Sequence, residues 1–262
     1  MVKAVLLAGG LGTRLSEETS VKPKPMVEIG GMPIIWHIMN IYSQFGVKEF
    51  VICLGYKGYV IKEFFANYWR HTSDMTIDLK QNKTEIHKSS TEDWKVTLVD
   101  TGPLAMTGAR IKKIRKYVEN DPYFCLTYGD GVSNVPIDQL IKFHEEHGKV
   151  ATLTAVKSPS RFGVLKFSDQ EEGKIDSFKE KPVEAQDWIN GGYFVLNNKV
   201  FDYIEDGDDT VFEQKPLQGL TADDQLMSFK HDGFWHAMDS LRDKMNLEEY
   251  CKQEPLPWLD FS

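Results

Sequence analysis

The N-terminal segment combines a backbone that can approach a phosphate closely with side chains that can neutralise its charge. An apolar stretch (2–7) leads into the sequence AGGLGTR (8–14), and Lys22 and Lys24 follow among prolines. Glycines allow backbone N–H groups to close on an anion because no Cβ stands in the way. Arg14 and Lys24 would supply positive charge where negative charge develops in a transition state. This spacing predicts a nucleotide site at the start of the chain.

Two common phosphate-binding motifs are excluded by the spacing. A dinucleotide fold requires G-x-G-x-x-G with an acidic residue about 20 positions further on, whereas this chain has G-G-x-G-T-R followed by basic residues. The P-loop string G-x-x-x-x-G-K-[ST] does not occur. The glycine pair alone could be a tight strand-to-loop turn, but the whole run from 8 to 26 favours nucleotide binding.

Composition limits the class of protein. The 262 residues, 41% of them hydrophobic, suffice for a single domain spanning 1–262 with a buried core. A net charge of −8 disfavours an extended nucleic-acid surface, and no apolar run approaches the ~20 residues of a membrane span. The three cysteines are widely spaced, unlike a disulfide framework or a zinc cluster. We therefore expect a cytoplasmic enzyme with neither a nucleic-acid nor a membrane partner.

Strand and helix patterns alternate along the chain. Apolar runs predict buried strands at 3–7, 49–54, 123–128 and 150–156, with helical patterns between them near 33–45, 59–70, 109–119 and 137–147. This alternation predicts an α/β fold, a Rossmann-like and mostly parallel sheet with helices on both faces. Small antiparallel additions are predicted from short strands at 162–168, 174–180 and 191–196. We expect a hairpin excursion at 72–94 and a C-terminal helix and tail at 240–262.

Two aspartates each follow a short apolar segment. Asp130 lies in LTYGDG (126–131) at the end of a predicted buried strand, the edge at which open α/β sheets bind ligands. Asp239 ends FWHAMD (234–239) directly before a predicted helix. As a pair, the carboxylates would suit Mg²⁺, which completes its coordination with waters and substrate phosphates. Taken singly, Asp130 could cap a turn and Asp239 could be a helix N-cap.

A third group of polar residues suits a sugar phosphate. Glu180 and Lys181 are adjacent in FKEKP (178–182), and Asn190 precedes a glycine pair in INGG (189–192). A carboxylate can accept hydrogen bonds from sugar hydroxyls, and a lysine offers a point charge to a phosphate. The amide of Asn190 and the bare backbone at Gly191 would suit the polar edge of a sugar. A solvated strand end is the alternative interpretation of the Lys/Glu run.

Taken together, these motifs resemble those of the sugar-1-phosphate nucleotidyltransferase family. The resemblance is carried by AGGLGTR (8–14), KPKP (22–25), GD (129–130), EKP (180–182) and NGG (190–192). Longer strings, VEIGG (27–31), GYKGY (55–59) and DSLRDK (239–244), are similar to the cytidylyltransferase branch of that family. The resemblance covers essentially the whole chain.

The resemblance implies a reaction, a cofactor and an assembly. CTP and glucose 1-phosphate would give CDP-glucose and pyrophosphate in the presence of Mg²⁺. Such enzymes supply nucleotide sugars for bacterial surface polysaccharides, including the O-antigen of lipopolysaccharide. The family also implies a homo-oligomer, a trimer or hexamer, with the 72–94 excursion and Arg110 near subunit contacts.

The resemblance also assigns roles to individual residues. The catalytic residues would be Arg14, Lys24 and Lys181. The residues holding Mg²⁺ would be Asp130 and Asp239. The nucleotide would be bound by Leu7, Ala8, Gly9, Gly10, Gly12, Thr13, Arg14, Lys24, Thr101, Gly108, Arg110 and Asp130. The sugar phosphate would be bound by Tyr128, Gly129, Glu180, Lys181, Asn190 and Gly191.

Two positions depart from the usual pattern of the branch. Ala109 stands where a second glycine is usual, and His236-Ala237 stands where Gln-Pro is usual. If position 109 required a positive φ, alanine there would cost about 1 kcal/mol or more. The same chemistry with UTP or dTTP, or with another hexose 1-phosphate, is one alternative function. A catalytically inactive nucleotide-sugar sensor is another, although it would be free to lose charged residues that this chain retains.

Overall fold

The computed structural model describes residues 2–157, 164–167, 175–179 and 188–261. Its strands, in chain order, are β1 (Lys3–Ala8), β2 (Glu28–Ile29), β3 (Met32–Pro33), β4 (Glu49–Leu54), β5 (Ser73–Asp78), β6 (Lys83–Ser89), β7 (Lys95–Asp100), β8 (Tyr123–Tyr128), β9 (Gly131–Ser133), β10 (Ala151–Lys157), β11 (Val164–Phe167), β12 (Ile175–Lys179), β13 (Trp188–Asn197), β14 (Leu226–His231) and β15 (Trp235–Ala237). Its α-helices are α1 (Ser16–Thr19), α2 (Ile34–Gln44), α3 (Gly58–His71), α4 (Thr107–Lys113), α5 (Arg115–Val118), α6 (Ile137–His147), α7 (Lys215–Ala222) and α8 (Leu241–Tyr250). Short 3₁₀ helices lie at Thr13–Leu15, Lys24–Met26, Asn198–Asp202 and Pro257–Leu259.

Seven strands form the central sheet, in the order β14-β10-β13-β8-β1-β4-β7. The pairs β1/β4, β1/β8, β4/β7 and β10/β14 are parallel, whereas β13 runs antiparallel to both of its neighbours. The central strands β1 and β8 are buried over nearly their whole length, as expected for strands that helices cover on both faces. The predicted α/β fold, with a mostly parallel sheet and antiparallel additions, is confirmed.

Side chains of β1 alternate between two hydrophobic cores. Ala4, Leu6 and Ala8 belong to one core, which also contains buried residues of α2, α3 and α8. Val5 and Leu7 belong to the other, with buried residues of α4, α5 and α7. Successive residues of a strand point to opposite faces of its sheet, so helices cover both faces here. The two cores hold β1 rigidly and thereby fix the start of the glycine-rich loop that follows it.

Four two-stranded antiparallel ladders complete the described structure: β2/β3, β5/β6, β9/β15 and β11/β12. The β5/β6 hairpin exposes the apolar side chains of Ile77, Leu79 and Ile86. The β9/β15 ladder joins the segment after β8 to the segment before α8. Within the described residues, no helix has the length and apolar character needed to cross a membrane.

Candidate active site

A cavity of about 530 Å³ opens at the edge of the sheet where β1 and β8 end. Ligands of open α/β sheets bind at this carboxyl edge. Many of the residues predicted from the sequence line this one cavity: Leu7, Ala8, Gly9, Gly10, Gly12, Thr13, Lys24, Arg110, Tyr128, Gly129, Asp130, Asn190 and Asp239. The rest of the described lining consists of Pro25, Ala105, Met106, Thr107, Trp235 and Ala237. The cavity therefore brings together residues from distant parts of the chain.

The remaining predicted residues are not part of the described cavity lining. Thr101 is buried behind the cavity, where its hydroxyl donates to the Leu54 carbonyl at 2.7 Å. Gly108 lies within α4, and Gly191 packs against Val156 in the adjacent strand. Arg14 lies in the 3₁₀ helix Thr13–Leu15, and its side chain is outside the described part of the structure. Glu180 and Lys181 lie outside the described residues altogether.

Lys24 sits between the two aspartates that the sequence singled out. Its Nζ lies 2.6 Å from an Asp130 carboxylate oxygen and 2.9 Å from an Asp239 carboxylate oxygen. Burial by itself lowers the pKa of Lys24, but the charges and hydrogen bonds of the two aspartates outweigh burial, so its pKa lies above the ordinary value. Lys24 is therefore a fixed cation throughout the neutral pH range.

The backbone explains why these three residues meet. Pro23 precedes the 3₁₀ helix that begins at Lys24, and its fixed φ suits the start of such a turn. In the β9/β15 ladder, Gly131 pairs with Ala237, and the amide of Met238 donates to the Asp130 carbonyl at 2.8 Å. This ladder places Asp130 and Asp239 side by side although 109 positions separate them.

A capping box fixes the backbone at Asp239. Ser240 is the N-cap of α8, and the carboxylate of Asp243 accepts from the Ser240 and Asp239 backbone amides at 2.9 and 3.1 Å. The alternative in which Asp239 itself is the N-cap is therefore wrong. Asp243 therefore holds the backbone at this point, while the Asp239 carboxylate lines the cavity and accepts from Lys24.

Gly9 and Gly10, the glycine pair after β1, serve different purposes. A Cβ on Gly9 would lie 2.1 Å from the Arg110 guanidinium, so Gly9 permits the close packing of that side chain. A Cβ on Gly10 would meet no protein atom within 4 Å. Since Gly10 lines the cavity and has no internal steric reason to be glycine, its bare backbone suits the close approach of a ligand.

Arg110 organises the loops around the cavity. Its buried guanidinium donates to the carbonyls of Gly9, Leu54 and Gly102 at 2.9–3.0 Å and to the Thr101 hydroxyl at 2.7 Å. Burial lowers the pKa of Arg110, although a guanidinium remains charged at neutral pH. Through these hydrogen bonds Arg110 connects the segments that follow β1, β4 and β7 at the cavity wall.

The two departures from the branch pattern are compatible with this fold. Ala109 lies within α4, is not among the residues with positive φ, and donates its amide to the Thr210 carbonyl at 3.1 Å. Alanine is the best helix former, so position 109 carries no backbone strain. His236 pairs with Val132 and Ala237 with Gly131 in the β9/β15 ladder. This ladder brings Asp239 to the cavity although position 237 is alanine rather than proline.

On the side of the cavity lined by β8 and β13, four polar side chains form hydrogen bonds. Tyr128 donates its hydroxyl hydrogen to Glu213 and accepts a hydrogen bond from the Asn190 amide at 3.2 Å. The indole of Trp235 donates to the Gly191 carbonyl at 2.7 Å. The sequence analysis assigned no role to Thr107, Trp235 or Glu213, although Trp235 lies within the FWHAMD string (234–239). Tertiary packing brings these three residues to this side of the cavity.

The paired aspartates fit a magnesium ion. Within the described residues, no group of three or more His, Cys, Asp or Glu side chains could hold a metal, which argues against a zinc-type cluster. Two convergent carboxylates are the usual protein contribution to a Mg²⁺ site shared with substrate phosphates. Lys24 balances their charge in this structure, so the donor set of Asp130 and Asp239 is suited to a cation.

Comparison with known proteins identifies the family of this chain. The family model for nucleotidyl transferases matches residues 3–253. The chain belongs to the nucleotidyl transferase family. Glucose-1-phosphate cytidylyltransferases from Salmonella typhi and Salmonella typhimurium are each 56% identical over 257 residues, which is 98% of this chain and 98% of each relative. The resemblance to the cytidylyltransferase branch is thus confirmed.

A solved structure shares the nucleotidyl transferase fold. HddC from Yersinia pseudotuberculosis superposes with a TM-score of 0.69 and 24% identity, covering 95% of this chain and 99% of that protein. At this level of identity the likeness concerns the fold alone.

Proposed function

We propose that this nucleotidyl transferase converts CTP and glucose 1-phosphate into CDP-glucose and pyrophosphate. The observation that carries the proposal is one cavity that unites the glycine-rich loop, the Lys24–Asp130–Asp239 cluster and Asn190. The identity of the base and of the sugar rests on the relatives that share 56% of their residues with this chain.

The proposed chemistry needs charge and position rather than a nucleophilic side chain. A phosphate oxygen of glucose 1-phosphate attacks the α-phosphorus of CTP in line, the bond to the bridging oxygen breaks, and pyrophosphate leaves. A phosphate monoester has a second pKa of about 6, so the nucleophile is already ionised and needs no general base. In keeping with this, the described cavity lining contains no Cys, Ser or His. Catalysis then consists of orientation and electrostatic stabilisation.

Each charged group has a role in this scheme. Lys24, a fixed cation, contacts the phosphates where charge develops, and Arg14 and Lys181 add charge on the triphosphate and the sugar phosphate. Asp130 and Asp239 would hold Mg²⁺, which would supply positive charge for the phosphate oxygens. Gly9, Gly10, Gly12 and Thr13 line the nucleotide side of the cavity, and Tyr128, Asn190 and Glu180 serve the sugar.

Pyrophosphate release tests this function directly. The protein is incubated with glucose 1-phosphate and Mg²⁺ in parallel with CTP, UTP, dTTP and ATP. We expect strong release with CTP alone, together with CDP-glucose identified by mass spectrometry. Release with a different nucleotide would retain the mechanism and overturn the assignment of the base. The absence of release with all four, in folded protein, would favour another sugar phosphate or a nucleotide-sugar sensor.

Replacing Gly10 by alanine tests where the nucleotide binds. The added methyl group meets no protein atom within 4 Å but projects where a ligand would lie. We expect the KM for CTP to rise roughly tenfold or more, on the scale of a 1–3 kcal/mol steric penalty, with an unchanged melting temperature. Gly9→Ala is the contrasting variant, because its methyl group would collide with Arg110 and lower the melting temperature. A wild-type KM in Gly10→Ala would place the nucleotide elsewhere.

The proposal includes a homo-oligomer, a trimer or hexamer, and a cytoplasmic location. The exposed apolar side chains of the β5/β6 hairpin, Ile77, Leu79 and Ile86, support a subunit contact there. The three cysteines are free thiols, which agrees with a reducing compartment.

A further inference from the structure

Glu213 joins two hydroxyl groups that belong to different elements bordering the cavity. One of its carboxylate oxygens accepts from the Tyr128 hydroxyl, and the other accepts from the Thr107 hydroxyl at 2.6 Å. Tyr128 is the last residue of β8, and Thr107 is the first residue of α4. Tyr128 and Thr107 line the cavity, and Glu213 lies outside its described lining.

The hydrogen bonds around Glu213 have fixed directions. An ionised carboxylate only accepts, so both hydroxyl hydrogens are committed to Glu213. The Thr107 oxygen then accepts from the Phe212 amide at 2.9 Å, and the Tyr128 oxygen accepts from the side-chain amide of Asn190 at 3.2 Å. Burial, and after it the Glu213 charge, raises the pKa of Tyr128 well above its ordinary value, so the phenol keeps its proton.

Together with the backbone amide of Gly192, these directions fix which face of the Asn190 amide is presented to the cavity. Its oxygen accepts from the Gly192 amide at 2.8 Å, and one of its two N–H groups donates to Tyr128. The second N–H is then a donor at the cavity wall, suited to the oxygen of a sugar hydroxyl. Had the Tyr128 hydroxyl pointed at Asn190 instead, the amide would need to turn its oxygen toward Tyr128 and break the bond to Gly192.

We infer that Glu213 is a positioning residue that orients Tyr128 and, through it, the Asn190 amide toward a hydroxyl of the sugar phosphate. This role rests on the proposed function. A packing role would depend on the volume of the Glu213 side chain. The positioning role depends instead on Glu213 accepting a hydrogen bond from Tyr128. Glu213→Gln preserves the volume of the side chain but replaces one acceptor by a donor, so it reverses one hydroxyl in the network.

Steady-state kinetics of Glu213→Gln tests the positioning role. We expect the KM for glucose 1-phosphate to rise about tenfold, as for the loss of one buried hydrogen bond, with the KM for CTP within about twofold of the wild-type value. Tyr128→Phe should give a similar increase, and the double variant should be no worse than either single variant, because both break one network. Glu205→Gln is the matched control, since Glu205 pairs with Lys215 on the exposed surface and should leave both KM values unchanged.

Deoxy analogues of glucose 1-phosphate separate orientation from mere structural support. Wild-type enzyme should discriminate against the analogue that lacks the hydroxyl bound by Asn190, and Glu213→Gln should lose that discrimination while treating the other analogues as the wild type does. An unchanged KM for glucose 1-phosphate in Glu213→Gln, additive effects in the double variant, or retained discrimination would overturn the inference. Turnover by the wild-type enzyme is measured in the same experiment. If the wild-type enzyme does not turn over these substrates, the proposed function is overturned. If it does, and Glu213→Gln has a wild-type KM for glucose 1-phosphate, only the positioning role is overturned.

Discussion

Replacing Lys24 by alanine is expected to lower kcat by roughly 10²–10³, the scale observed when one preorganised transition-state donor is lost. Lys24 lies between Asp130 and Asp239 at 2.6 and 2.9 Å, and its pKa is raised by them. It is therefore charged whenever substrate binds. A methyl group cannot replace this charge at the point where negative charge accumulates on the phosphates. Steady-state rates of pyrophosphate release measure the effect.

The neighbouring Lys22 provides the matched control. Lys22 belongs to the same KPKP string, but it pairs with Glu28 at 3.0 Å on a more exposed part of the loop. Lys22→Ala should therefore stay within a factor of a few of the wild-type kcat. If Lys24→Ala were equally active, Lys24 would have no role in transition-state stabilisation. Equal large losses in both variants would indicate a general dependence on loop charge.

Asp130→Asn is expected to weaken the response to Mg²⁺ by at least about 10–100-fold, because altering even an indirect support of a metal ligand has effects of this size. The substitution keeps the shape of the side chain and removes its negative charge. It also deprives Lys24 of one of its two charged partners. A titration of activity against Mg²⁺ concentration should shift to higher concentrations and reach a lower maximum rate.

A surface aspartate provides the control for the loss of one negative charge in Asp130→Asn. The side chain of Asp206 is 94% exposed and lies 3.9 Å from Lys112. Asp206→Asn changes the net charge by the same amount as Asp130→Asn but should leave the Mg²⁺ titration unchanged. A wild-type titration curve for Asp130→Asn would mean that this carboxylate does not hold the metal.

The sequence was most informative about the middle of the sheet. The predicted strands at 49–54 and 123–128 coincide with β4 and β8, and the helix at 137–147 coincides with α6. Strands covered on both faces are continuously apolar, which makes them easy to recognise. The two edge strands, β7 and β14, were not predicted. Their sequences, KVTLVD and LMSFKH, mix polar and apolar residues because such strands are only half covered.

Local motifs predicted two kinds of site residue: glycines that expose the backbone, and charged residues that lie next to turns. The glycine-rich loop, Lys24, Asp130 and Asp239 line one cavity in the structure. That Asp130 and Asp239 share Lys24 could not be deduced from spacing, because it depends on the β9/β15 ladder. Glu213 could not be predicted either. Its function depends on hydrogen bonds to residues 106 and 85 positions away.

Position 109 illustrates how the fold resolves a question that the sequence leaves open. From the motif alone, alanine in place of glycine would be costly only if position 109 required a positive φ. The structure places Ala109 inside α4, where a glycine would be the costlier residue. The family pattern in this segment therefore does not require a positive φ in this chain.

In the proposed reaction, the cytidylyl group passes to glucose 1-phosphate in a single in-line displacement, without a covalent enzyme intermediate. The most direct test uses CTP with one sulfur at the α-phosphorus as a single diastereomer, together with glucose 1-phosphate and Mg²⁺. A single displacement inverts the configuration at phosphorus. We therefore expect thio-substituted CDP-glucose of inverted configuration, identified by phosphorus NMR. Retention of configuration would require two successive displacements, hence a nucleophilic side chain, and would contradict a mechanism based on charge and position alone.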